Sequence, residues 1–289
     1  MRTEPLNAHF GLAVEGVSLR DVTADHLYPD IRALFEEHTA LLFRAQNLTQ
    51  EEFTSLARLF GPLENRDAMS AGRDVPFTIF PLSNETKDGL LAEDSLKLLN
   101  LQGNMLWHTD STFLPTPALV NLLTARVVPS SGGQTEIAST RAAWADMPEE
   151  LKTPLRDAIV WHRLSHSRSK ISAELAALPM MNRWPDRPWP AVWTNPANGA
   201  EALYIASHAF AIEGMGLEEA QALIDAAMAF CTQDKYVYSH EWQPGDVLIW
   251  DERATVHRGR PWPYDQPRRL ESICCSATDA DGLASMRIV

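Results

Sequence analysis

The chain has 289 residues, of which 45% are hydrophobic, so it can bury a large core as one domain. Its formal net charge of −13 at pH 7 argues against nucleic acid or an anionic membrane as the main partner, because both would repel the surface. Its 3 cysteines form neither a disulfide framework nor a Cys-X-X-Cys metal site. The N-terminus lacks a signal-peptide pattern, and no stretch approaches the roughly 18 apolar residues of a membrane helix. These features predict a cytoplasmic protein.

The first sixty or so residues carry alternating signals for strands and helices. In chain order they predict a strand over residues 12–19, a helix over 24–37, a strand over 39–44 and a helix over 51–60. The second helix has the clearest ends. Thr49 and Glu52 have the spacing of a capping box at its start, and Gly61 followed by Pro62 ends it.

Residues 65–102 carry a weaker pattern, with many polar residues and scattered prolines. Apart from a short strand over residues 77–80, this segment predicts a mobile loop beside the active site. The loop leads directly into a His-X-Asp tripeptide formed by His108 and Asp110.

The rest of the chain is dominated by strand signals. In chain order it predicts strands over residues 118–128 and 135–138, helices over 140–147 and 149–157, strands over 191–196 and 202–205, a helix over 217–232, and strands over 236–240, 246–251 and 269–277. Turn residues at 129–134 predict that the first two of these strands form a hairpin-like pair. We expect a mixed α/β, β-rich fold with helices outside a β core. A single domain over residues 1–289, with an insert around 160–215, is the expected organisation.

His108, Asp110 and the distant His257 form a candidate metal site. Two imidazoles and one carboxylate can hold ferrous iron on one face and leave adjacent positions open for an oxidisable cosubstrate and dioxygen. His257 follows the strand predicted over residues 246–251, so a rigid scaffold could hold it. The alternative is that the tripeptide is a chance match on a surface loop and that His257 is a partly exposed histidine on a turn.

Arg268 and Arg269 begin the last predicted strand, where a guanidinium could bind a carboxylate in a bidentate manner. An oxygenase that draws two electrons from a 2-oxo acid needs a cationic anchor for the far carboxylate of that acid. Thr135 could add a hydroxyl to the same carboxylate. The alternative is that both arginines only solvate the strand entrance. Because side chains alternate along a strand, only one of the two can point at the iron.

Several motifs occur together in a fixed order along the chain. They are Trp107-His108-Thr109-Asp110, Pro129-Ser130-Ser131-Gly132-Gly133-Gln134-Thr135, Trp242-Gln243-Pro244-Gly245-Asp246, Trp250-Asp251-Glu252-Arg253, His257-Arg258-Gly259-Arg260 and Pro267-Arg268-Arg269. Together they resemble the taurine dioxygenase and dichlorophenoxyacetate dioxygenase family, from about residue 10 to residue 279. The resemblance implies a double-stranded β-helix (jelly-roll) core with flanking α-helices. It also implies Fe(II) at His108, Asp110 and His257, and 2-oxoglutarate bound by Thr135 and an arginine.

The resemblance does not decide which of two adjacent arginines binds 2-oxoglutarate. Ungapped counting from His257 places the family's anchor on Arg268, whereas one inserted residue within 261–264 would place it on Arg269. We expect Arg268. The family's second arginine, which holds the acid group of the substrate four residues after the anchor, is Ser272 here, or Ile273 if Arg269 is the anchor. Further candidate substrate residues, each with a surface or structural role as the alternative, are Asn104, Lys170 and His208.

The resemblance implies an enzyme that uses Fe(II), 2-oxoglutarate and O2 to hydroxylate a small organic substrate, with release of succinate and CO2. Residues 103–105 and 167–170 look most like aryloxyalkanoate dioxygenases, which cleave an ether by hydroxylating the carbon beside its oxygen. The alternative substrates are an amino acid or a natural-product intermediate. A noncatalytic jelly-roll binding protein or a zinc hydrolase is a further alternative, which would not need Thr135 and Arg268. We also expect a homo-oligomer.

Overall fold

Short apolar runs form most of the strands, and amphipathic segments form the helices. The computed structural model describes residues 1–64, 79–92 and 95–288. Within these ranges the strands are β1 (Arg2–Pro5), β2 (Leu12–Glu15), β3 (Ala40–Phe43), β4 (Phe80–Ser83), β5 (Glu85–Thr86), β6 (Gly89–Leu90), β7 (Ala118–Val127), β8 (Thr135–Ser139), β9 (Ile159–His162), β10 (Arg187–Pro190), β11 (Val192–Thr194), β12 (Glu201–Leu203), β13 (Ala209–Ile212), β14 (Val237–His240), β15 (Val247–Asp251), β16 (Thr255–Gly259) and β17 (Arg269–Ser276). The α-helices there are α1 (Tyr28–His38), α2 (Gln50–Phe60), α3 (Leu96–Gln102), α4 (Thr140–Asp146), α5 (Glu149–Lys152), α6 (Leu164–Ser169), α7 (Ala173–Ala177), α8 (Leu217–Cys231) and α9 (Leu283–Met286).

Two β-sheets that pack face to face form the core. In the described residues, the larger sheet has the strand order β1-β2-β3-β15-β7-β17-β4, and the smaller one has the order β14-β8-β16. In β15, Leu248 and Trp250 pack with Ile137 of β8 between the sheets. Val247 and Ile249, which alternate with them, pack in the cluster that contains α1 and α2. This β-rich core with helices outside it confirms the predicted mixed α/β fold class.

A second group of helices covers the strands of the predicted insert. Helices α4 and α8 pack against β9, β12 and β13 through a buried cluster that includes Trp144, Val160, Leu203 and Ile224. The strands of residues 160–215 and their neighbours form the sheet β10-β9-β13 and the hairpin β11-β12. The two strands predicted around residues 191–205 are therefore present. The single-domain organisation with an insert stays a prediction.

Residues at the N-terminus of each of the first two helices determine where the helix begins. In α2, Thr49 Oγ1 accepts a hydrogen bond from the Glu52 N–H at 3.2 Å, and the Glu52 carboxylate accepts one from the Thr49 N–H at 2.8 Å. The predicted capping box is therefore confirmed. The helix predicted over residues 24–37 begins only at Tyr28, because Pro29 fits the first helical turn, where its missing N–H costs no hydrogen bond.

The predicted hairpin between β7 and β8 does not form. Strand β7 pairs with β15 and β17 in the larger sheet, whereas β8 pairs with β14 and β16 in the smaller sheet. Gly132 and Gly133 both have positive φ, which allows the turn between the strands to carry the chain from one sheet to the other. Strand β16 was absent from the prediction, because five residues alternate too briefly to be distinguished from a turn.

Part of the predicted loop over residues 65–102 is described. Residues 65–78, which include the start of the strand predicted over 77–80, lie outside the described residues. Downstream of them, β4 forms an edge of the larger sheet and α3 occupies the end of the range that was predicted as a loop. The mobility of this segment stays a prediction. Among the described residues, no helix is both long enough and apolar enough to cross a membrane.

Candidate metal centre

The loop that carries His108 and Asp110 is attached to β16 by backbone hydrogen bonds. The His108 N–H donates to the His257 carbonyl oxygen at 3.0 Å, and the His257 N–H donates to the His108 carbonyl oxygen at 2.7 Å. Thr109 Oγ1 donates to the Thr255 carbonyl oxygen at 2.8 Å. These bonds fix two parts of the chain that are far apart in sequence. They also place His257 within a strand, whereas the sequence predicted a position after a strand end.

The three predicted metal ligands converge on one point. One ligand atom from each of His108, Asp110 and His257 lies within 4.8 Å of the others. His108 Nε2 is 3.7 Å from Asp110 Oδ1, and His108 Nδ1 is 2.7 Å from the Leu106 carbonyl oxygen. Because a carbonyl oxygen can only accept, Nδ1 carries the proton and Nε2 presents its lone pair to the centre.

Both imidazoles have the protonation state that a metal requires. Burial lowers the pKa of His108, and burial together with the neighbouring His108 lowers the pKa of His257 to about 3. Both rings are therefore neutral at neutral pH, and a neutral imidazole is the form that binds a metal ion. Two neutral nitrogen donors and one carboxylate oxygen on one face fit Fe(II) with open coordination positions.

A chain of polar groups fixes the Asp110 carboxylate from behind. Asp110 Oδ2 accepts a hydrogen bond from Asn121 Nδ2 at 2.7 Å, and Cys274 Sγ lies 3.3 Å from the same oxygen. Asn121 is held in turn by Ser272, whose Oγ donates to Asn121 Oδ1 at 2.9 Å. The orientation of Asp110 Oδ1 towards His108 Nε2 therefore depends on Asn121 and Ser272.

Glu252 supports the other side of the centre. One carboxylate oxygen accepts from the Asp110 N–H at 2.8 Å, and the other accepts from the indole N–H of Trp250 at 2.8 Å. The second oxygen also lies 3.7 Å from His257 Nδ1, so that His257 Nε2 is the ring nitrogen on the far side from Glu252. Burial, and next the adjacent Asp110 carboxylate, raise the pKa of Glu252 well above its ordinary value. Glu252 thus lies next to two of the three predicted metal ligands.

A second polar group lies at the start of β17. Arg268 is buried, its Nε and Nη2 donate to the Gly133 carbonyl oxygen at 3.2 and 2.9 Å, and its guanidinium lies 4.8 Å from the centre of the Trp262 ring. Burial lowers the pKa of Arg268 to about 10, so the side chain keeps its charge at neutral pH. Thr135, two residues after Gly133, is also buried, and its Oγ1 accepts from the indole N–H of Trp242 at 3.0 Å. A buried cation near a hydroxyl can bind a carboxylate.

Arg269 lies on the opposite face of the strand from Arg268. Leu270 packs between the sheets and Arg268, two residues before it, is also buried, whereas Arg269 between them is exposed. Arg269 is exposed and lies 3.7 Å from the Glu85 carboxylate. The placement therefore favours Arg268 as the carboxylate anchor. It also requires glycine at 133, because a Cβ on Gly133 would stand 2.9 Å from Arg268 Nε.

Two of the predicted substrate residues lie next to the metal ligands. The ring centre of His208, a buried residue, is 6.3 Å from that of His108, and His208 Nδ1 is 3.1 Å from Thr112 Oγ1. Asn104 lies in the 3-10 turn Gly103–Met105, which leads into the His108 loop. The structure thus brings Asn104 and His208 to the candidate site.

The other two predicted substrate residues have different surroundings. Ser272 is buried and donates its hydrogen bond to Asn121, which places it behind the Asp110 carboxylate. Lys170 is exposed, and the carboxylate that acts on its charge belongs to Asp225 of α8. The structure does not bring Lys170 to the metal ligands.

Three further residues near the metal ligands escape prediction from the sequence. Asn121 interrupts the apolar run of β7, and Glu252 directly follows the buried strand β15. A polar residue at such a position is the one sequence feature that could have pointed to either of them. Arg168 lies two residues before Lys170, in a segment whose cations point in different directions. Only the three-dimensional placement separates Arg168 from Lys170.

The sequence matches a known family over most of its length. The family profile described as "Taurine catabolism dioxygenase TauD, TfdA family" matches residues 2–274. The chain belongs to the TauD/TfdA family.

Relatives within the TauD/TfdA family cover nearly the whole chain. The (S)-phenoxypropionate/alpha-ketoglutarate-dioxygenase of Sphingobium herbicidovorans is 36% identical over 275 residues, which cover 91% of each protein. The alpha-ketoglutarate-dependent 2,4-dichlorophenoxyacetate dioxygenase of Cupriavidus pinatubonensis is 33% identical over 270 residues, 92% of this chain and 94% of that one. A crystal structure of AAD-2 in complex with Mn(II) and N-oxalylglycine superimposes with a TM-score of 0.87 at 31% identity, over 96% of this chain and 98% of that chain.

The reaction class of this TauD/TfdA protein follows from the family and the donor set together. The protein is an Fe(II)- and 2-oxoglutarate-dependent dioxygenase, an enzyme that uses O2. The two-sheet core is the double-stranded β-helix of the family, as expected from the sequence resemblance. The noncatalytic jelly-roll alternative is therefore set aside.

Proposed function

We propose that His108, Asp110 and His257 bind the Fe(II) of this dioxygenase. The observation that carries the proposal is the convergence of their three ligand atoms within 4.8 Å of one another. When bound, Fe(II) supplies the redox chemistry that couples O2 to oxidation of 2-oxoglutarate and of a substrate C–H bond. The protein holds the three donors on one face. The Leu106 carbonyl oxygen orients the His108 imidazole, and the Glu252 carboxylate lies 3.7 Å from His257 Nδ1.

In the same proposal, Arg268 and Thr135 bind the carboxylate at the far end of 2-oxoglutarate. The Arg268 guanidinium is held against the Gly133 carbonyl oxygen and the Trp262 ring, so it is oriented before the ligand arrives. Its burial limits competition from water and strengthens charge-assisted hydrogen bonds to a carboxylate. The Thr135 hydroxyl can donate to the same carboxylate while it accepts from Trp242.

For the prime substrate we propose an aryloxyalkanoate, a carboxylic acid joined to an aromatic ring through an ether oxygen. Support comes from two relatives named for (S)-phenoxypropionate and 2,4-dichlorophenoxyacetate, each of which aligns with more than 90% of this chain. Hydroxylation of the carbon beside the ether oxygen gives a product that collapses to a phenol and a 2-oxo acid. Succinate and CO2 leave from the cosubstrate in the same turnover.

The test is a substrate panel with two products measured together. The Fe(II)-loaded protein is incubated with 2-oxoglutarate, O2 and either enantiomer of several aryloxypropionates, an aryloxyacetate, a sulfonate or an amino acid. We expect equal amounts of succinate and phenol from at least one ether, and neither product from His257→Ala. Succinate with an amino acid but no phenol from any ether would contradict the proposed substrate. No substrate-dependent succinate with the whole panel would contradict the proposed function.

Three other expectations remain predictions. The net charge of −13 predicts that neither nucleic acid nor a membrane is a partner. A cytoplasmic location and a homo-oligomeric state stay predictions, and light scattering on the purified protein tests the second.

A further inference from the structure

Arg168, on the short helix α6, is a partly buried cation close to the metal ligands. Its Nε donates to Asn100 Oδ1 at 3.1 Å, and its Nη1 donates to Ser167 Oγ at 2.7 Å. A guanidinium carries five N–H groups, so three remain after these two bonds. Among the described residues, the two hydrogen-bond partners of Arg168 are an amide and a hydroxyl, and neither is a carboxylate. The charge is therefore held in place but not neutralised by those partners.

The position of the guanidinium is fixed by the backbone that leads to His108. A Cβ on Gly103 would stand 3.0 Å from Arg168 Cζ, so the absence of a side chain at this glycine makes room for the cation. Gly103 opens the 3-10 turn that runs into the His108 loop. Burial lowers the pKa of Arg168 to about 10, and the Asp110 carboxylate opposes this shift. Burial first, and then the charge of Arg168, lower the pKa of His208. The charge of the guanidinium thus interacts electrostatically with both Asp110 and His208.

An apolar and aromatic cluster lies beside this cation. Leu164 is four residues before Arg168 in α6, so the two side chains lie on the same side of the helix. Leu164 packs with Phe113 in one buried cluster. The Phe113 ring centre is 5.0 Å from that of His208, whose ring is 6.3 Å from His108. A continuous series of side chains therefore runs from a metal ligand to an apolar cluster, with the cation next to it.

We infer that Arg168 binds the carboxylate of the organic substrate, whose apolar body contacts His208 and Phe113. The inference rests on the proposed dioxygenase function, and it names the substrate class as acids with an apolar group. Ser272, on the interior face of β17, carries no charge, and its hydroxyl donates its hydrogen bond to Asn121. The specificity for an acid then resides in α6, outside the two-sheet core.

The experiment measures binding of 2-phenoxypropionate to Arg168→Met by calorimetry. The full-length protein is loaded with Mn(II) and 2-oxoglutarate without O2, so that binding is observed without turnover. A lost charge-assisted hydrogen bond predicts about 10- to 100-fold weaker binding of the acid. The neutral analogue 2-phenoxypropionamide should bind the native protein and the variant equally. Lys170→Met, which removes the exposed cation two residues later, is the matched control and should bind the acid within about twofold of native.

A separate titration with 2-oxoglutarate distinguishes the failure of this inference from the failure of the proposed function. If the Mn(II)-loaded native protein does not bind 2-oxoglutarate, the proposed function fails whatever the result at Arg168. If it binds 2-oxoglutarate but not the acid, or if the acid binds Arg168→Met as tightly as native, the inference is overturned. Tight binding of 2-phenoxyethanesulfonate to the native protein, equal to that of the acid, would overturn the assignment to carboxylates.

Gly103→Ala provides a second test that keeps the arginine in the chain. The φ of Gly103 is −55°, so alanine is compatible with the backbone, but its Cβ would displace the guanidinium. We expect several-fold weaker binding of 2-phenoxypropionate and an unchanged affinity for 2-oxoglutarate. An unchanged affinity for the acid in this variant would count against Arg168, even if Arg168→Met failed to fold.

Discussion

Replacement of Arg268 with alanine should remove the anchor for 2-oxoglutarate and leave metal binding intact. The side chain is only 6% exposed, so a carboxylate bound to it would form charge-assisted hydrogen bonds with little competition from water. One such bond contributes about 1.5–3 kcal/mol, which predicts a Kd for 2-oxoglutarate about 10- to 150-fold higher in the variant. Calorimetric titration of 2-oxoglutarate into the Mn(II)-loaded protein without O2 measures this change.

The neighbouring Arg269→Ala is the matched control for this prediction. Arg269 is exposed and 3.7 Å from the Glu85 carboxylate, a pair that contributes about 0–1 kcal/mol to stability and faces away from the core. Its Kd for 2-oxoglutarate should stay within about twofold of native. Thermal unfolding of both variants shows whether they fold. Weak binding in Arg269→Ala with native affinity in Arg268→Ala would refute the assignment of the two faces of β17.

Three other changes test the surroundings of the centre. Asn121→Ala removes the donor that is 2.7 Å from Asp110 Oδ2, so the affinity for Mn(II), measured by calorimetry, should fall about 10- to 100-fold. A native affinity for Mn(II) would show that Asp110 needs no such support. Arg253→Leu removes the buried cation that is 2.8 Å from Asp251 and 2.6 Å from Glu36. Arg32 stays 2.6 Å from Glu36 and Arg141 stays 3.8 Å from Asp251, so the loss should cost about 3 kcal/mol and lower the melting temperature by on the order of 5–10 °C. A shift of less than about 2 °C would contradict the structural role of Arg253. Mn(II) at about 100 times its Kd should stabilise the native protein by about 2.7 kcal/mol and so raise its melting temperature, and a chelator should reverse this rise. Equal melting temperatures with and without Mn(II) would mean that the folded protein has no such site.

A metal site could be proposed from the sequence because its chemistry restricts the residue types. A triad of two histidines and one carboxylate is rare enough that His108, Asp110 and His257 stand out once further motifs appear in order. The carboxylate anchor was harder to place. Arg268 and Arg269 are chemically identical, and only the strand alternation seen in the structure separates them.

The supporting and substrate-facing residues could not be predicted because they act across the fold. Ser272 reaches Asp110 only through Asn121 on the adjacent strand, a contact that no sequence spacing encodes. Lys170 and Arg168 are two residues apart, and the turn at the end of α6 sends one to the surface and the other towards the metal ligands. Strand β16 was missed because its five residues owe their conformation to pairing with β8 rather than to a local pattern.

The proposed iron centre holds Fe(II) on one side through His108, Asp110 and His257, together with 2-oxoglutarate. Anaerobic titration of the Fe(II)-loaded protein with 2-oxoglutarate, followed by visible absorption, tests it most directly. We expect a weak charge-transfer band that saturates at one equivalent in the native protein and is absent in His257→Ala. An Fe(II)-loaded native protein that shows no band at saturating 2-oxoglutarate would contradict this proposal.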